Sequence, residues 1–99
     1  MFNQYMVEIE LPGVFTAEFA SLIPAQRARI NMLIHDGNIK SYTLALDRSR
    51  LWVVMVGDDE SKIEHILDSF PIMPYCQANI HELMFHDSAV HEMPRISLN

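Results

Sequence analysis

Apolar and polar residues alternate from the fourth position onward, with Tyr5, Val7, Ile9 and Leu11 on one face and Gln4, Met6, Glu8 and Glu10 on the other. That period of two predicts a half-buried strand. Pro12 and Gly13 end it. Thr16 is then placed to cap a helix whose apolar positions Phe19, Leu22, Ile23, Ile30, Leu33 and Ile34 recur at helical spacing, and Gly37 offers a left-handed terminus. A helix over residues 17–36 contains Pro24. A proline there either removes one backbone hydrogen bond and kinks the helix, or marks the start of the main helix. Two strands are predicted over 39–46 and 51–56, and the short polar stretch between them, Asp47-Arg48-Ser49-Arg50, suits a hairpin. Ser61-Lys-Ile-Glu64 has the form of a capping box for a short helix through Ile63, Ile66 and Leu67 that ends before Pro71. A last strand is predicted over 75–85, followed by a polar tail.

The resulting order, strand-helix-strand-strand-helix-strand, is the split βαβ arrangement. It is an α+β, ferredoxin-like fold with a four-stranded antiparallel sheet carrying both helices on one face. The opposite face then needs cover, and a second copy packed sheet against sheet about a two-fold axis supplies it. We divide the chain into a domain over 1–86 and a tail over 87–99, whose Val90, Met93, Ile96 and Leu98 suit packing on a neighbouring subunit. A frayed terminus is the alternative.

Composition narrows the picture. A chain of 99 residues fits one domain and buries only roughly 60 to 68% of its unfolded surface, so further burial in an oligomer favours it. The high apolar fraction, 49%, is consistent with that. The formal net charge of −6 repels phosphate backbones and anionic lipid, which argues against nucleic-acid and membrane partners. No stretch approaches the roughly 18 apolar residues of a membrane span, no basic region precedes an apolar run at the start, and one cysteine, Cys76, permits no intrachain disulfide. Together these predict a soluble, cytoplasmic protein.

The segment Phe70-Pro-Ile-Met-Pro-Tyr75, the strand after it and His86-Asp-Ser-Ala-Val-His91 resemble the C-terminal part of the muconolactone Δ-isomerases. Those enzymes have a similar Pro-x-x-Pro-Tyr lead-in and a similar His-Pro-Ser-Ser-Ile-His exit. The resemblance continues upstream through Ser61 and takes in Leu11-Pro12 and the helix end at Gly37, with the C-terminal third the specific part. It implies a dimeric α/β barrel that assembles into larger homo-oligomers. It also implies a cofactor-free isomerase that shifts a carbon–carbon double bond in a small lactone carboxylate during bacterial breakdown of aromatic compounds.

Such a reaction needs a group to remove and return a proton and a cation to hold the carboxylate. Where the family has a Glu-Lys-Glu run this chain reads Gln26-Arg27-Ala28, and the arginine-rich segment after the glycine is reduced to Asn38-Ile39-Lys40-Ser41. Arg27 keeps a cation that can clamp a carboxylate in bidentate fashion, whereas Gln26 cannot act as a base. His86, retained from the family pattern, is the candidate catalytic proton carrier. Strand parity puts it with Cys76, Ala78 and Ile80 on the helix-facing side. Tyr5 and Tyr75 are candidate substrate contacts beside Arg27, although aromatic rings on strands more often build the core. The five histidines do not form a metal pattern, since His81 and His86 point to opposite faces of one strand and no ligand spacing accompanies His91. His35 at a helix end and Glu8 and Glu10 opposite Gln77, Asn79 and His81 have sufficient structural or interface roles. Three readings follow. The first is an isomerase of a small lactone or organic acid working without a cofactor. The second is a non-catalytic binding or scaffold oligomer that has lost the helix carboxylates. The third, by fold analogy alone, is a cofactor-independent oxygenase with a pocket lined by Trp52, Phe85 and tyrosines.

Overall fold

The computed structural model describes residues 2–88. Its first strand, β1 (Asn3–Glu10), alternates half-buried and buried positions, as the sequence pattern requires. Thr16 caps α1 (Ala17–Ala20), its hydroxyl oxygen accepting the Phe19 N–H at 3.1 Å. The single helix expected over 17–36 is divided. The main helix α2 (Ile23–His35) begins at Pro24's own turn, with Leu22 as cap residue. Proline is tolerated there because the first amides of a helix have no partner within it. At the other end Gly37 adopts φ 86°, and the Asn38 N–H reaches the Leu33 carbonyl at 2.9 Å while the Gly37 N–H reaches Ile34 at 3.1 Å. This is a Schellman closure, and its left-handed residue favours glycine.

β2 (Ile39–Leu44) and β3 (Arg50–Gly57) form the expected hairpin. In the turn, Asp47 accepts from both the backbone N–H and the hydroxyl of Ser49, which holds its carboxyl below the ordinary range. The next helix, α3 (Glu60–Leu67), is capped by Asp59 and not by the Ser61-to-Glu64 box, since Asp59 accepts the Lys62 N–H at 3.0 Å. The helix therefore starts two residues earlier than the box implied, with Ser61 already inside it. Asp59→Ala is expected to cost about 1 kcal/mol, and Ser61→Ala to stay within roughly 0.5 kcal/mol; urea denaturation of the two variants reads the difference. After α3 the chain makes a 3-10 turn, Met73–Tyr75, and enters β4 (Gln77–Leu83). The tail beyond residue 88 lies outside the described residues.

The strands pair in the order β2-β3-β1-β4, antiparallel throughout, which establishes the ferredoxin-like α+β arrangement. Tyr5, Val7 and Ile9 of β1 and Leu51, Val53 and Met55 of β3 share one face. There they form a single buried cluster with Ile30 and Leu33 of α2 and Ile63, Ile66 and Leu67 of α3. At about 25 cal/mol per Å² of apolar surface removed from water, this layer is the main source of stability. The sheet's other face carries Met6, Glu8, Trp52, Val54, Asn79 and His81. Arg50 joins Glu8 there at 2.8 Å, and that guanidinium holds the Glu8 carboxyl below its usual range.

Candidate functional site

Between α2 and the sheet lies a cavity of about 350 Å³. Its apolar walls come from Phe15, Phe19, Ile23, Leu44 and Leu51, and its polar groups from Gln26, Arg27 and Tyr42. Helical spacing places Gln26 in line with Ile30 and Leu33, so its amide is turned inward and is 3% exposed. A buried amide needs partners, and two are present. Gln26 Oε1 accepts the Ile72 N–H at 3.4 Å, and Nε2 donates to the Tyr42 hydroxyl oxygen at 3.3 Å.

Arg27, one residue on, is exposed at the rim and has no carboxylate partner among the described residues. Tyr42 is brought in by strand parity, since it pairs with Val53 on the helix-facing side of the sheet. Burial pushes its phenol above the ordinary value, outweighing the opposing influence of Gln26 and Arg27, so it is a neutral donor at physiological pH. Nearby, desolvation raises the Cys76 thiol to about 11, which leaves it protonated and a poor nucleophile. No aspartate, glutamate or histidine lines this cavity among the described residues, nor do three such side chains or cysteines gather as a metal site would require.

The four candidates from the sequence are distributed unevenly. Arg27 lines the cavity. Tyr5 is 1% exposed within the core cluster, on the strand floor, and is not among the cavity's lining residues. Tyr75 is 38% exposed; its hydroxyl meets the Glu18 carboxylate and its ring stands edge-on to Phe19 at 5.8 Å. The Glu18 hydrogen bond keeps the phenol above its ordinary range. Tyr75 thus buttresses a wall residue.

His86 does not follow the parity of β4. The ladder with β1 ends at Leu83 opposite Gln4, and beyond it no pairing partner holds the alternation. The chain instead crosses from one sheet edge to the other, where His86, Asp87 and Ser88 border a recess of about 460 Å³ with Lys40 and Ser41 of β2. Within one protomer the structure therefore brings Arg27 together with Gln26 and Tyr42, and His86 together with Lys40. Tyr42 is the residue sequence reasoning passed over, and Gln26, considered there only as a position without a base, is the one whose inward placement it did not foresee. Their signals were present in the 26-30-33 spacing and in the strand parity of position 42, but nothing in the sequence joins the two.

No helix among the described residues is long and apolar enough to cross a membrane. No curated protein matches the chain significantly. The family model described as muconolactone delta-isomerase, however, matches residues 2–89, and with its antiparallel sheet, one-sided helices and helix–sheet cavity the chain belongs to the muconolactone delta-isomerase family.

Proposed function

We propose that the cavity binds a small organic acid of the lactone-carboxylate class, with Arg27 as the clamp on the carboxylate. The observation that carries this reading is an arginine without a carboxylate partner among the described residues, at the rim of an apolar-walled cavity. A guanidinium presents a planar fork of donors matched to a carboxylate, and the aromatic and aliphatic walls accept the ligand's carbon skeleton. The active assembly in this proposal is a cytoplasmic homo-oligomer in which two copies cover each other's open sheet faces, where Met6, Trp52 and Val54 lie. With Gln26 in place of a carboxylate and no imidazole among the described residues that line the cavity, these residues are equipped for binding more than for proton transfer.

The test is thermal unfolding of the purified protein with lactone carboxylates and short dicarboxylates, against the methyl esters of the same acids. A ligand at ten times its Kd adds about 1.4 kcal/mol, which for a domain of this size raises Tm by roughly 6 to 11 °C. Stabilisation by the acids alone supports the reading; no shift, or equal shifts by the esters, refutes it.

Family membership favours a second reading, cofactor-free isomerisation with His86 as proton carrier. Because His86 stands beside β2 and not at the cavity of its own protomer, this reading has the imidazole supplied by a second copy. Conversion of muconolactone followed by NMR, present in the wild type and lost in His86→Ala, would favour it. Binding without turnover would leave the protein a small-molecule-binding member of the family.

A further inference from the structure

The direction of the hydrogen bonds around Gln26 has a chemical consequence. The Ile72 backbone N–H can only donate, so the Gln26 oxygen faces it. The amide nitrogen is thereby turned to Tyr42, whose hydroxyl oxygen must accept. A phenol whose oxygen accepts in this way directs its own proton elsewhere, and among the described residues no acceptor takes it. Tyr42 and Arg27 border the same cavity. With Gln26 engaged by Ile72 and Tyr42, the side chains that the described residues offer to a ligand here, Tyr42 and Arg27, are therefore both donors.

We propose that Tyr42 is a specificity-determining ligand contact, its hydroxyl turned by Gln26 to donate to a carbonyl oxygen of an acid whose carboxylate lies on Arg27. Gln26 is the positioning residue. The ligand class follows: a small, largely apolar acid bearing a second acceptor oxygen, as lactone acids and keto acids do, in preference to simple alkanoates or cyclic ether acids. The inference rests on the carboxylate reading above and adds what selects among carboxylates.

The test is titration calorimetry with two probes of the same ring, γ-butyrolactone-γ-carboxylate and tetrahydrofuroate, which lacks the carbonyl. The wild type is expected to prefer the lactone acid by roughly three- to tenfold, the range one neutral hydrogen bond supplies. In Tyr42→Phe the preference should fall to about one while tetrahydrofuroate binding stays within about twofold. Gln26→Glu separates positioning from packing. A protonated carboxyl there donates to Tyr42 as the amide does and keeps the preference, whereas an ionised one accepts the phenol proton and abolishes it. In that variant the preference should be lost as pH rises between about 5 and 9, the span in which a buried glutamate titrates, and in the wild type it should be constant. Among the described residues the titratable groups around the position are Arg27, Tyr42 and Cys76. None of them changes charge in that span, because arginine stays protonated, burial raises the phenol and the thiol lies at about 11. Equal binding of both probes by the wild type, or a preference that survives Tyr42→Phe, would overturn the inference. Failure of both probes to bind at all would remove the carboxylate reading and the inference with it.

Discussion

Arg27→Ala is expected to weaken binding of small carboxylates by a factor of roughly 10 to 150, the loss that follows when a hydrogen bond to a charged group worth about 1.5–3 kcal/mol is removed. The fold should be unaffected. Arg27 is exposed and contributes no ion pair among the described residues, so truncating it leaves no buried group unsatisfied. Arg27→Lys should fall between the two, because an ammonium keeps the charge but loses the planar fork. Calorimetric titration gives the affinities, and an unchanged urea midpoint confirms that the variants are folded. If Arg27→Ala binds as the wild type does, the carboxylate lies elsewhere, and Lys40 beside His86 becomes the cation to test.

Tyr5→Ala should be felt first in stability, with a loss of about 3–5 kcal/mol, the usual cost of emptying an aromatic site in a core. Tyr5 is 1% exposed on the central strand β1, paired to Met55 on one side and Glu82 on the other. Its ring belongs to the cluster that joins sheet to helices. Since a small domain has roughly 5–15 kcal/mol in all, this single truncation should lower the urea midpoint severely. Tyr5→Phe keeps the ring and should recover most of the loss. A Tyr5→Ala variant within 1 kcal/mol of the wild type would contradict the core assignment, since effects of the substitution on the unfolded chain typically amount to only about a few tenths of a kcal/mol.

Local signals were read correctly where the physics is local. The alternation of β1 survives because its odd positions face the helices and its even positions the open side, and a one-residue slip would exchange them. Gly37 ends α2 because the closing turn needs a positive φ. The two boundaries the sequence left open or placed differently involve competition between neighbouring residues. Pro24 could kink or start a helix, and Asp59 and Ser61 could each cap one; such choices turn on where the chain enters the helix, which depends on what the previous element packs against.

The site was only half legible. Arg27 could be singled out because the family resemblance marks its position, and the likeness holds over residues 2–89. His86 could be singled out in the same way, but its location could not be derived, because strand parity has meaning only as long as a partner strand continues and β1 offers none past Gln4.

From the sequence alone came the order of elements and the one-sided burial of the sheet, because hydrophobic period and turn residues act within a few positions of one another, and, through the family resemblance, a cation suited to a carboxylate at Arg27. Only the tertiary structure decided that Gln26 is buried against Tyr42 and Ile72, residues 16 and 46 positions away. A buried polar group takes whichever partners the packing of helix on sheet brings within reach, and that choice sets which protons the cavity offers to a ligand.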